Sequence, residues 1–331
     1  MAADLPPLLV VAGPTATGKT GLSLRLAEEL RARGVVAEVI SADSRQVFRG
    51  LDIGTAKVSR EDRARVPHHG LDLAEPNEPF SVADFVAAAH DALLAIADRR
   101  GIAILAGGTG LYLRAVARGL DTVALPHDAD VRARAEAEIL DAGLEAAAAR
   151  LTEIAPITSA RTDLRNPRRV ARALELAELR GDVPLPLPRG YSGRSAWIGL
   201  DLDPFTHDAW VADRARAQFD AGLIDEARDL RERFDPQLPA FSAIGYREAW
   251  AVLDGRIPME EAIEEDAQRN RAFARRQRTW FRTEPGIEWL DAAADPLPRA
   301  VEVALDVADP VRPPALPLQP SGDAGLQSRR R

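Results

Sequence analysis

The sequence predicts an α/β fold, a P-loop NTPase-like parallel sheet core that carries an all-helical insertion. Three observations lead there. Residues 13–20 read Gly13-Pro14-Thr15-Ala16-Thr17-Gly18-Lys19-Thr20, the G-x-x-x-x-G-K-[ST] phosphate-binding pattern. Strand-like apolar runs alternate with helical periodicity up to about Leu120, as in parallel sheets covered by helices. From Asp121 the pattern is helical only, until a strand-like run resumes at Ala196–Leu202.

The elements follow in order. Leu8, Leu9, Val10 and Val11 read as a buried strand, and Leu22, Leu26, Ala27 and Leu30 have helical spacing. The glycine-rich loop therefore joins a strand to a helix N-terminus, where N–H groups, the helix dipole and Lys19 converge on an anion. A di- or triphosphate is the expected ligand. Val36–Asp43 is a second strand ending in an acid. Ser81-Val82-Ala83-Asp84 is a helix-start signal ahead of Phe85, Val86, Ala89, Leu93 and Ile96. Gly101–Leu105 is a third strand, running into Gly107-Gly108-Thr109-Gly110. In such sheets ligands bind beyond the carboxyl ends of strands, so the P-loop, Asp43 and Thr109 are expected on one rim. Helices are expected at Asp128–Leu140 and Leu144–Ile154, and another opens with Asn166-Pro167 and closes at Gly181. Ile287–Leu290 reads as a late strand. The expected organisation is thus core at 1–121 and 196–308, insertion at 122–195, and a disordered Pro-, Ser- and Gly-rich tail at 309–331.

Composition excludes several classes. There is no cysteine, hence no disulfide and no cysteine-ligated zinc. The segment Met1–Pro7 lacks the basic start of a signal peptide, and no apolar run approaches a membrane span. A cytoplasmic protein without membrane contact is expected. The formal net charge of −8 means that any polyanion site must be a local patch. Two patches stand out. Arg161, Arg165, Arg168, Arg169 and Arg172 fall in the insertion, and Arg269, Arg271, Arg275, Arg276, Arg278 and Arg282 cluster near the end of the core.

Several segments together resemble one family. After the P-loop come Asp43-Ser44-Arg45-Gln46-Val47-Phe48-Arg49-Gly50-Leu51-Asp52-Ile53-Gly54-Thr55-Ala56-Lys57 and Pro67-His68-His69. Then follow Gly107–Tyr112, Asn166-Pro167-Arg168-Arg169, Ile244-Gly245-Tyr246-Arg247 and Arg276-Gln277-Arg278-Thr279-Trp280. In kind and order these resemble tRNA dimethylallyltransferases of the bacterial type, over roughly residues 8–290. Phe48 replaces the usual Tyr, and Gly70 follows the His pair where a larger residue is common.

The resemblance implies transfer of a dimethylallyl group from its diphosphate to N6 of the adenosine 3′ of the anticodon. It places the leaving diphosphate on the P-loop, Thr15 to Thr20 above all, with Mg2+ reached by Thr20. Asp43 is the expected general base, ionised at neutral pH, and Thr109 contacts the target nucleotide. The partners implied are the tRNA anticodon stem-loop and dimethylallyl diphosphate, and the protein is expected to be a monomer. Carried over as tRNA-binding are Asp43, Ser44, Arg45, Gln46, Thr109, Arg132, Arg168, Val170, Ala171 and Arg172 with Arg169, and the segment Ser242, Ala243, Ile244, Gly245, Tyr246, Arg247. Arg275, Arg278 and Arg282 are candidates to line a diphosphate channel. His68 and His69 are expected to pack or position a loop. The alternatives are a small-molecule or nucleotide kinase, an adenylate isopentenyltransferase and an RNA-binding switch. A kinase leaves the Asp43–Lys57 block unexplained, a free-nucleotide acceptor needs no basic insertion, and a pure binder has no use for Asp43.

Overall fold

The computed structural model describes residues 5–122 and 125–309. The chain opens with Leu8–Ala12 (β1), Lys19–Ala32 (α1), Ala37–Ser41 (β2), Arg60–Arg65 (α2), His68–His69 (β3), Val82–Asp98 (α3), Ile102–Gly107 (β4) and Gly110–Ala117 (α4). Next come Ala129–Ala142 (α5), Leu144–Ile154 (α6), Pro156–Ser159 (α7) and Pro167–Arg180 (α8). Ser195–Asp201 (β5), Pro204–Asp220 (α9), Leu223–Arg233 (α10), the 3-10 turn Pro239–Ser242, Tyr246–Leu253 (α11), Met259–Phe281 (α12), Ile287–Asp291 (β6) and Leu297–Ala308 (α13) complete it.

The six strands form one sheet in the order β3-β2-β4-β1-β5-β6, and every neighbouring pair is parallel. Parallel strands are covered on both faces, and β1, β2 and β4 are buried at every residue. Side chains alternate as the pleat requires. Leu8, Val10, Ala12, Ile40, Ala103 and Leu105 join one core with residues of α3, α4 and α9 to α12. Leu9, Val11, Val39, Ile102 and Ile104 join a second core with α1 and α13.

The P-loop-type α/β fold is as expected, with local differences. The second strand stops at Ser41, short of Asp43, because the Asp43 carboxylate accepts the Arg45 and Gln46 N–H groups and turns the chain. His68 and His69 form a short edge strand. The His69 ring pairs with Glu38 at 2.8 Å, and His68 Nδ1 lies 2.7 Å from the Val66 carbonyl. Burial holds the His68 imidazole below its usual pKa, so this pair braces the sheet edge.

The described residues divide into two compact units, Gly119–Gly190 and the remainder. The sequence put the far boundary of the insertion at 195. Tyr191 and Arg194 belong instead with the sheet, bonded to the carbonyls of Pro6 and of Asp306 and Val307. The helical unit has its own apolar centre of Ala147, Leu151, Val170, Ala171 and Leu174. Helix α8 has the expected ends: Asn166 accepts from Arg168 and Arg169 N–H, Pro167 follows, and Gly181 ends the helix. The tail expected to be disordered lies, from residue 310 onward, outside the described residues. Among the described residues no helix is long and apolar enough to cross a membrane.

Candidate active site

Strands β2, β4 and β1 are neighbours, so the segments leaving their carboxyl ends meet. Gly107 ends β4 against β2, where a Cβ would stand 2.1 Å from the Ala42 carbonyl oxygen. The Thr109 N–H then donates to that carbonyl at 3.2 Å, and Thr109 Oγ1 accepts the Ser44 N–H at 3.0 Å. Asp43 Oδ1 accepts Arg45 N–H at 2.8 Å and Gln46 N–H at 3.4 Å. Asp43 Oδ2 has no hydrogen-bond partner among the described residues. Asp43 and Thr109 are both half-buried, with one carboxylate oxygen and one hydroxyl proton uncommitted.

On the next strand, the P-loop is shaped for an anion. Ala16 and Gly18 both have left-handed φ, 59° and 79°. Such a backbone turns successive N–H groups inward, and those from Ala16 to Gly21 have no partner among the described residues. Lys19 Nζ donates to the Pro14 carbonyl at 2.5 Å. Burial and the neighbouring Arg214 lower its ammonium to about 7, against the opposing pull of Asp43. The Thr20 side chain is exposed at the start of α1 and makes no hydrogen bond to the described residues.

Three residues that hold this loop had no assigned role in the sequence. Gln277 on α12 accepts the Thr15 N–H at 2.7 Å and donates to the Gly108 carbonyl at 2.8 Å. It thus straps the P-loop to the turn that carries Thr109. His207 Nε2 lies 2.8 Å from the Thr15 carbonyl. Arg214 donates to Thr15 Oγ1, and burial lowers its guanidinium pKa from the ordinary value. Gln277 stands within the Arg276–Trp280 segment that carries the resemblance, whereas a histidine or arginine on α9 carries no pattern.

These contacts correct two expectations. The Thr15 N–H belongs to Gln277, so the anion-facing part of the loop begins at Ala16. Arg278 has no direct hydrogen bond to the P-loop among the described residues: its guanidinium is held by Asp201 at 2.7 Å and meets His207 Nδ1 at 3.1 Å. Arg275 and Arg282 are exposed. The arginine against the P-loop is Arg214. A carboxylate at the end of β5 takes up the Arg278 guanidinium.

A cavity of about 650 Å3 borders Arg214 and is lined by Ile53, Ala56, Lys57, Arg63 and Gln218 among others. Of the segment Ser242–Arg247, the Ser242 and Arg247 side chains are exposed and Ile244 is half-buried. Ala243, Gly245 and Tyr246 are buried, and the Tyr246 hydroxyl donates to Glu226 at 2.7 Å. A wholly buried ring cannot reach RNA, so Tyr246 serves the interior of the core.

In the helical unit the expected residues also divide. Val170 and Ala171 are fully buried, because an amphipathic α8 must turn its apolar stripe inward. Arg132 pairs with Glu136 and donates to the Arg168 carbonyl, and Arg172 pairs with the buried Glu175 at 2.8 Å. Arg161, Arg168 and Arg169 are exposed around a cavity of about 550 Å3 whose lining also includes Ile157, Leu176 and Leu185.

The comparisons with known proteins decide the family. The model of the family described as IPP transferase matches residues 46–284. The tRNA dimethylallyltransferase of Anaeromyxobacter sp. (strain K) is 44% identical over 93% of this chain and 99% of that protein. The chain belongs to the tRNA dimethylallyltransferase family. The Thermus thermophilus tRNA dimethylallyltransferase is 45% identical over 84% of this chain and 90% of its own length. A crystal structure of the full-length tRNA isopentenylpyrophosphate transferase from Bacillus halodurans superposes with a TM-score of 0.65 at 37% identity, covering 91% of this chain and 95% of that one. A eukaryotic dimethylallyltransferase acting on tRNA shares the fold, with a TM-score of 0.71 at 23% identity over 91% of this chain and 79% of that one. As a member of this family the chain is a transferase. Thr109, Arg214 and Gln277 lie inside the matched range, whereas the P-loop and Asp43 precede it.

Proposed function

We propose that this transferase moves a dimethylallyl group from dimethylallyl diphosphate to N6 of the adenosine 3′ of the anticodon in tRNA and releases diphosphate. One observation supports it most: an anion cradle, a carboxylate with a free oxygen and a hydroxyl meet at three adjacent strand ends, in a chain of this family.

The chemistry follows from those groups. As the C1–O bond breaks, its electron pair goes to the diphosphate, and the N–H groups from Ala16 to Gly21 with Lys19 stabilise that charge where it develops. The N6 lone pair is delocalised into the adenine ring and attacks C1 well only as a proton leaves. Asp43 Oδ2 takes that proton while the new C–N bond forms. The Thr109 hydroxyl accepts from Ser44 and keeps its own proton to orient the base. A stacked adenine cannot reach this rim, so the target nucleotide must leave its stack.

A divalent ion fits the donors present. Among the described residues no cluster of three or more acidic or histidine side chains could hold a metal alone. Mg2+ typically keeps waters and binds through substrate phosphates and few protein groups, and the free Thr20 hydroxyl beside the cradle suits that pattern. Bound there, Mg2+ would neutralise charge on the leaving diphosphate. We assign the cavity beside Arg214 to entry of the donor, and the exposed Arg161, Arg168 and Arg169 to the RNA backbone. The reading makes the protein a cytoplasmic monomer.

The test is to incubate the protein with magnesium, an unmodified anticodon stem-loop and dimethylallyl diphosphate, then digest the RNA and weigh its nucleosides. A dimethylallyl mass gain on adenosine is expected. An unchanged adenosine, with γ-phosphate of ATP passing to a small acceptor instead, would overturn the reading.

A further inference from the structure

We propose that Glu226 is a positioning residue for the acceptor half of the site, acting on Asp43 through the folded segment between them. The proposal rests on the reading of Asp43 as the base.

Glu226 stands in the first turn of α10 and binds the Asp52–Gly54 turn and the Tyr246 hydroxyl. Its Oε2 accepts the N–H groups of Asp52 at 3.2 Å and Ile53 at 2.7 Å. Its Oε1 accepts the Gly54 N–H at 3.1 Å and the Tyr246 hydroxyl at 2.7 Å. Consecutive backbone N–H groups converging on one carboxylate form an anion nest, filled here by the protein's own side chain. The carbonyls of the same turn are taken as well, because Gln218 donates to Ile53 at 2.7 Å and to Gly54 at 2.8 Å. No other residue fits at Gly54, where a Cβ would meet the Tyr246 ring at 2.6 Å.

From this anchored turn the linkage runs to Asp43 by direct bonds. The Thr55 carbonyl accepts Gln46 Nε2 at 3.0 Å, and Gln46 Oε1 accepts Ser41 Oγ at 2.7 Å. The Gln46 N–H is one of the two donors that hold Asp43 Oδ1. Gln46 is 9% exposed, so its amide has little freedom to find other partners. The P-loop is fastened by a different set, Gln277, His207 and Arg214. Loosening the Glu226 anchor should therefore misplace the base without disturbing the diphosphate cradle. It also gives the buried Tyr246 a role, as the second arm of the same clamp.

A double-mutant cycle tests this, because residues in one network are non-additive. Glu226→Gln keeps the shape but sets an amide NH2 against backbone donors, and should lower kcat by roughly tenfold, as expected for lost charge-assisted bonds. Inorganic pyrophosphate affinity should stay within about twofold of wild type, since the P-loop has its own supports. In a Gln46→Ala background the same change should cost almost nothing more. A full further tenfold loss there, or a matching loss of pyrophosphate affinity, would show that Glu226 acts only on overall integrity and sink the proposal. Should Glu226→Gln not fold, Tyr246→Phe carries the cycle with a smaller expected effect. Amide hydrogen exchange at residues 43–55 reads the clamp without any reaction, and should accelerate in either variant; unchanged exchange contradicts it. Wild-type turnover in the same assay tests the functional reading separately.

Discussion

In the unit that holds the sheet, buried or half-buried arginines are each fastened to a partner. Arg278 is held by Asp201, Arg114 and Arg118 share Glu284, whose side chain is 1% exposed, and Arg214 grips Thr15. In the helical unit one buried carboxylate, Glu175, gathers His127 and Arg172, and accepts the Asp128 N–H. Arg161, Arg165, Arg168 and Arg169 there remain exposed. Bond-making chemistry needs groups held to a fraction of an ångström by locked neighbours. Holding a nucleic-acid backbone needs positive charge with reach, and tolerates side-chain freedom. The proposed function assigns the arginines of this chain to both uses.

If that division is right, substitutions in the two regions should fail differently. Lys19→Ala removes the ammonium that meets the bound diphosphate and should lower turnover by about 10^3-fold, the upper range for losing one preorganised donor. Stem-loop binding, measured by filter retention, should hardly change. Arg214→Ala should raise the KM for dimethylallyl diphosphate by about 10- to 100-fold, as for a lost charged hydrogen bond, again with RNA affinity intact. A parallel loss of RNA affinity in either variant would break the comparison.

Lys19 also sets a pH dependence whose sign can be stated. Burial and Arg214 lower its ammonium to about 7, and a bound diphosphate raises it again. Above pH 7, therefore, binding takes up a proton, and pyrophosphate affinity falls as pH rises. Calorimetry at pH 8 in buffers of different ionisation enthalpy should register that uptake, and Lys19→Ala should abolish it. Equal proton exchange in wild type and Lys19→Ala, where the titration of pyrophosphate itself is common to both, would contradict the placement of Lys19.

The smallest effect belongs to the helical unit. Replacing Arg168 and Arg169 together by Ala should weaken stem-loop binding by roughly tenfold and reduce the salt dependence by about two charges. Single-turnover rates at saturating RNA should stay unchanged. A lowered rate at saturation would assign these arginines to the chemistry.

Much of this was legible in the sequence, for physical reasons that differ by element. The P-loop, Asp43 and Thr109 could be placed because strand–loop–helix patterns are local, and a parallel sheet gathers its strand ends on one rim. Cap residues located α8 for the same reason. What the sequence hid was long-range partnership. Gln277 reaches Thr15 across 262 positions, and Glu226 reaches Ile53 across 173. No local pattern encodes such a pairing. Arg278 and Arg214 show the other side of this limit: helical spacing told that arginines line α12, but only packing told that Asp201 captures one of them.

The most direct measurement compares wild type with Asp43→Ala in two assays, single-turnover prenyl transfer and stem-loop affinity. A rate lower by about 10^3-fold, within the range for losing a general base, with affinity held to within about twofold, is expected if the rim carries the chemistry. A variant that keeps its rate, or that loses rate and affinity together, would contradict it.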